Sequence, residues 1–174
     1  MSAEQNNNDL NSPQKVKARV LGPQDGEFLG QAGILHDRFM INGRETGKRF
    51  ALVEHLLPAK TLAAPLHRHS REDEYSFILE GRIGALLGDD EVYGKAGDLI
   101  FKPRGQWHTF WNAGDEPLRL LEIISPCGFE EAFREIYGTG ECRFIDSFKS
   151  AFIFCGFSRY PSFILSINGW STWE

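Results

Sequence analysis

The run His67-Arg68-His69-Ser70-Arg71-Glu72-Asp73-Glu74, read together with GDLIFKPRGQWHTFWN at 97–112, decides the fold. On a strand, residues two apart face the same way, so His67 and His69 present both imidazoles to one side. Glu74 follows five residues later, after a short acidic bend, at the head of a next strand. The second stretch supplies a third imidazole, His108, at the head of a later strand. Three neutral imidazoles and one carboxylate are a borderline N/O ligand set, suited to Fe(II), Mn(II), Ni(II), Cu(II) or Zn(II).

Outward from these stretches the chain alternates short apolar segments with turn residues. The apolar segments are 34–41, 49–57, 75–79, 83–87, 99–101, 107–111 and 118–124. Between them stand Asn42-Gly43, Gly88-Asp89-Asp90, Gly94, Gly97, Pro103-Arg104-Gly105 and Ala113-Gly114-Asp115, all turn-forming sequences. Strands at this spacing with no helix between them predict an antiparallel sandwich or barrel. One helix is expected after Pro126: Phe129, Ala132, Phe133 and Ile136 fall at helical spacing, Glu130 and Glu131 occupy the first turn, and Gly138 would stop it.

The 174 residues suit one well-cored domain. Residues 1–15 are Asn-rich and polar and read as a disordered arm, 16–140 as the β-domain with its helix, and 141–174 as an aromatic-rich tail of unassigned structure. A net charge of −5 argues against nucleic acid and anionic membrane surfaces as partners. No apolar run is long enough to span a bilayer. Three cysteines, an odd number with no C-x-x-C pair, fit a reducing compartment, so the expected location is cytoplasmic.

Two motifs then carry a family resemblance. His67-x-His69, four residues, Glu74, six residues and Gly81 resembles the first cupin motif, with Thr61 where that motif begins with Gly. Gly97, Pro103, Gly105, His108 and Asn112 match the second motif in full. The resemblance covers roughly 16–137 and implies an all-β, single-domain cupin jelly-roll β-barrel with one C-terminal helix. It also implies a divalent transition metal held by His67, His69, Glu74 and His108, Fe(II) first and Ni, Cu, Mn or Zn as alternatives. Gly81, Gly97 and Gly105 are expected at tight turns, and Asn112 bonding its own turn.

With Glu74 and His108 facing inward, alternation places Ser76, Ile78 and Phe110 along the cavity. It turns Tyr75, Phe77, Leu79, Trp107 and Trp111 the other way, an aromatic face that needs a cover and suggests a homodimer. Glu72 and Asp73 read as solvated bend residues, His36 and His55 as ordinary hydrogen-bonding histidines with a metal-supporting or substrate-facing role as the alternative, and Glu54 and Glu122 as either buried or surface acids. Cys127 reads as a small structural hydrophobe. The function expected from the resemblance is a metal-dependent, dioxygenase-like oxidoreductase acting on a small aromatic or polyketide-type molecule, with Glu74 also available as a base. A redox-silent metal isomerase or lyase and a non-catalytic small-molecule binder are the alternatives.

Overall fold

The structure is a computed structural model that describes residues 16–30, 35–139 and 152–154. The expected 1–15 arm and most of the 141–174 tail lie outside the described residues. Ten strands precede the helix: β1 (Glu27–Gly30), β2 (His36–Ile41), β3 (Ala51–Leu57), β4 (His67–His69), β5 (Asp73–Glu80), β6 (Arg82–Leu87), β7 (Asp90–Lys95), β8 (Leu99–Lys102), β9 (His108–Asn112) and β10 (Leu118–Ser125). Helix α1 (Glu130–Thr139) and a last strand, β11 (Phe152–Phe154), follow. All pairings are antiparallel, in a six-stranded sheet ordered β1-β2-β3-β10-β5-β8 and a five-stranded sheet ordered β11-β4-β9-β6-β7. This is a two-sheet, antiparallel jelly-roll arrangement, with the expected single helix after the ten strands.

Two strands went unread in the sequence. β7 contains Gly94, which looks like a turn residue, yet it is buried within the strand opposite Ile83. A Cβ there would sit 3.1 Å from an Ile83 methyl, so the glycine permits close packing. β1 is mostly exposed and lacks an apolar alternation. Gly138 lies inside α1, one residue before its end. β11 belongs to the tail and pairs with β4, opposite the His67–His69 backbone.

Gly81, Gly97 and Gly105 all have positive φ, as expected. At Gly81 (φ 83°) a Cβ would also lie 2.6 Å from the Pro117 carbonyl oxygen, so no other residue fits without moving β10. Asn112 ties the end of β9 to its surroundings: Nδ2 donates to the carbonyls of Leu57, Pro58 and Glu116, while Oδ1 accepts from Gly114 N–H.

The interior separates into two apolar clusters. One holds Leu57, Ile78, Ile83, Ala85, Ile100, Phe110, Leu118 and Leu120; the other holds Phe39, Val53, Ile124 and Phe129, with Phe133 packed against it. Outside, the aromatic face divides. Trp111 lies flat against Gly84, and Trp107 lies under the Arg68 guanidinium. Phe77, Leu99, Phe101 and Ile123 are exposed on the outer face of β5, β8 and β10.

Candidate metal centre

Each of the four expected ligands owes its position to strand geometry. His67 and His69 are the inward-facing ends of β4, Glu74 is the second residue of β5, and His108 opens β9 opposite His67. All four are buried, and one donor atom from each lies within 4.8 Å of the others. Two ligands at about 2.0–2.2 Å from one cation stand roughly 3–4 Å apart, so the four donors are grouped near the spacing that one cation requires.

The hydrogen bonds behind the rings fix which nitrogen faces the centre. His67 Nδ1 donates to the Pro65 carbonyl at 2.6 Å, and His108 Nδ1 donates to the Gln106 carbonyl at 3.0 Å. A carbonyl can only accept, so both protons sit on Nδ1 and each Nε2 of a neutral ring offers a lone pair. Burial, and then the neighbouring His108 and His69, hold His67 well below the usual histidine range, keeping it neutral. His108 Nε2 lies 3.3 Å from Glu74 Oε2, and His69 Nε2 lies 3.2 Å from Glu74 Oε1. On a neutral ring with its proton on Nδ1, His108 Nε2 faces the carboxylate oxygen as a second acceptor, a contact that a shared cation would relieve. The donor set therefore fits a divalent metal on the structure's own chemistry.

Beyond these ligands the structure adds partners that sequence reading missed. Lys102 is 1% exposed, and its ammonium lies 2.7 Å from Glu74 Oε2 and 2.8 Å from Glu122 Oε1. Burial alone would raise the Glu74 carboxyl, but the Lys102 ammonium, ahead of its other neighbours, holds it well below the carboxylate range. Burial would likewise lower Lys102; Glu122 and Glu74 reverse this and raise it. Lys102 also sits over the Phe110 ring, 4.6 Å from its centroid. Alternation could have found it: Lys102 shares the inward parity of Ile100, while Leu99 and Phe101 point out.

Ser76, Ile78 and Phe110, the expected cavity residues, are buried on the inner face. Ser76 donates to Glu122 Oε2 at 2.8 Å, whereas Ile78 and Phe110 belong to the apolar cluster. Glu122 is thus an inner acid. Glu54 is buried on the other side of the sheet, between Arg38 and Arg119. One reading changes. Glu72 is 3% exposed, not solvated, and burial raises its carboxyl. His55 is buried in an ion-pair geometry with Asp37, its Nδ1 2.6 Å from Asp37 Oδ1. Asp73, at the bend, binds the Arg104 backbone and guanidinium. His36 begins β2 and is half-buried, away from the centre.

Aromatic rings pack beside the centre. Phe129 packs on the His69 ring at 4.2 Å between centroids, and Phe133, one helical turn on, packs on Phe129 at 4.8 Å.

Comparison with known proteins agrees with this picture. Residues 53–124 match the family described as the cupin domain. The tetracenomycin polyketide synthase protein TcmJ of Streptomyces glaucescens is 27% identical over 89 residues, 51% of this chain and 60% of that protein. The chain spans about three fifths of the length of the curated relatives it matches. Among solved structures, the polyketide cyclase RemF of Streptomyces resistomycificus is 25% identical with a TM-score of 0.54, covering 64% of this chain and 81% of that one. A predicted oxalate decarboxylase of Thermotoga maritima superposes with a TM-score of 0.57 at 21% identity, covering 63% of this chain and all (100%) of that one. That likeness is one of fold. Among the described residues no helix is long and apolar enough to cross a membrane.

Proposed function

We propose, from the premise that residues 53–124 of this chain are a cupin domain, that the protein is a divalent-metal-dependent enzyme acting on a carbonyl or enol group of a small organic molecule, by proton transfer and without net oxidation. One observation carries the reading: the buried His67, His69, Glu74, His108 cluster, whose four donor atoms lie within 4.8 Å of one another. When bound, the metal supplies Lewis acidity at a carbonyl oxygen and so acidifies the neighbouring C–H. The chain's own residues do the rest. His67 and His108 are oriented by the Pro65 and Gln106 carbonyls, and Lys102 holds Glu74 in place. That grip makes Glu74 a holding group in this reading and not the base. Phe129 packs an apolar ring against the His69 side of the centre. An aromatic or polyketide-type substrate is supported by the likeness to TcmJ and RemF, whose names tie those proteins to polyketides.

The dioxygenase reading has its own support, since three imidazoles and a carboxylate also suit Fe(II). Elemental analysis of protein purified without a metal-affinity tag is the first test. About one transition metal per chain, absent from His69→Ala, is expected, and its identity decides between Fe and the redox-silent ions. Conversion of aromatic polyketones that persists under anaerobic conditions supports the proposal. Oxygen consumption coupled to that conversion overturns it in favour of the dioxygenase. The proposed partners are such a substrate and a second copy of the chain, the latter motivated by the exposed Phe77, Leu99, Phe101 and Ile123 face. A monomer mass in light scattering removes the second copy.

A further inference from the structure

Across the inner face of the six-stranded sheet runs a band of polar side chains, between the two apolar clusters. At one end Glu74 and Lys102 pair across β5 and β8; next come Ser76 and Glu122, joined across β5 and β10; at the far end His55 and Asp37 pair across β3 and β2. Apolar residues of similar volume would usually serve stability there as well or better, so the retention of so many buried ionisable groups calls for a use. The metal end of the band has one in the proposal above. His55 and Asp37, 4% and 1% exposed, do not.

A second, independent observation links the two ends. Phe129 covers His69, and Phe133 covers His55 edge-on with centroids 5.3 Å apart; the two phenyl rings touch each other. Phe129, in the turn just before α1, and Phe133, within the helix, therefore lie side by side over the metal centre and the dyad. A small molecule seated under those rings with its carbonyl at the metal centre would extend toward His55. The imidazole is oriented for such a role. With Nδ1 engaged by Asp37, Nε2 points away from Asp37, and the ring is flanked by Phe110 and Phe133.

We propose that His55, oriented by Asp37, is the proton-transferring residue for a carbonyl substrate held at the metal centre. The inference rests on the proposed function and names the base that it requires. In the step, neutral His55 Nε2 takes the proton from the carbon next to the carbonyl. The C–H bonding pair stays with the substrate as an enolate, and Nε2–H then returns the proton to carbon. No electrons leave the substrate, so no oxidant or reductant is needed. Asp37 is the positioning residue, stabilising the imidazolium that forms. The charged groups around His55 are Asp37 on β2, Glu122 on β10 and Lys102 on β8. Burial lowers the His55 pKa, but the Asp37 charge and hydrogen bond, helped by Glu122 against Lys102, leave it raised overall.

The test uses the full chain loaded with Zn(II) and two probes, pyruvate and acetoacetate, in D2O. Proton NMR follows replacement of the α-protons by deuterium, calorimetry measures zinc and pyruvate affinity, and the His55 Cε1–H resonance is followed as pyruvate is added. Exchange faster than in buffer is expected, with the His55 resonance moving on pyruvate binding. His55→Gln should slow exchange by about 10²-fold or more, the usual weight of a general base, with zinc and pyruvate affinities within about twofold of wild type. Asp37→Asn keeps the base but removes what raises it, so the rising limb of exchange against pH should move to lower pH. Exchange equal in wild type and His55→Gln, or no exchange by zinc-loaded wild type, overturns the assignment and leaves the metal centre standing. An unmoved pH limb in Asp37→Asn overturns the role of Asp37. Failure to bind zinc at all overturns the proposed function and this inference together.

Discussion

Replacing Lys102 with Met is the perturbation that most directly interrogates the buried charge band. The ammonium is 1% exposed and contacts two carboxylates, at 2.7 Å on Glu74 and 2.8 Å on Glu122. Methionine fills much of the same volume but strands Glu122, itself 1% exposed, with only the Ser76 hydroxyl donating to one of its oxygens. Removing one partner of a buried ion pair costs about 3–5 kcal/mol. Against a total stability of about 5–15 kcal/mol this is a large fraction. For a chain of this size it lowers Tm by roughly 10 °C. Urea unfolding measures the loss, and a double-mutant cycle assigns it. Glu122→Gln added to Lys102→Met removes the stranded charge yet keeps an acceptor for Ser76, so about 2 kcal/mol should return. The loss should also be smaller with saturating Zn(II) than in chelator, because the ion restores positive charge beside Glu74. A Lys102→Met loss under about 1 kcal/mol, or a double variant less stable than the single one, refutes the reasoning.

The other expectations concern the metal, the outer acid and the Asn112 bracket. A ligand present at 100 times its Kd stabilises by about 2.7 kcal/mol, so Zn(II) in that excess should raise Tm of wild type and leave His67→Ala unchanged in a thermal melt. Glu54 would be raised by burial, but Arg119 and then Arg38 hold its carboxyl below the ordinary value. A depressed carboxylate contributes stability above its unfolded pKa and loses it as pH falls through the folded one. Glu54→Gln should therefore cost about 1–3 kcal/mol at pH 7, and the gap from wild type should close on acidification below about pH 4.5 in urea melts. Asn112→Ala leaves three carbonyls and the Gly114 N–H without their side-chain partner. It should destabilise by about 2–4 kcal/mol while zinc stoichiometry at the centre stays the same.

Much of the centre was legible before any coordinates, because its signals are local. The two-residue spacing of His67 and His69 turns both rings to one face of any strand, and Gly105 with Pro103 sets the bend that delivers His108. The same alternation placed Ser76, Ile78 and Phe110 inside. Lys102 was missed because a lysine in a strand reads as solvent-facing, and only its pairing with Glu74 across β5 and β8 reveals the inward parity. Glu72 was misread for the opposite reason: an acidic run looks like a solvated bend, while the fold buries one member of it.

The amino-acid order alone determined the class of fold and the identities of four converging donors, since strand period, turn chemistry and motif spacing act within a few residues. Which further groups meet those donors was decided by tertiary structure. Cross-strand register set Lys102 against Glu74 and Glu122, and His55 against Asp37, and helix packing laid Phe129 and Phe133 over both ends of the band. No local preference encodes such pairings. They follow from how sheets fold onto one another, and a one-residue shift of a strand would turn each of these side chains to the opposite face.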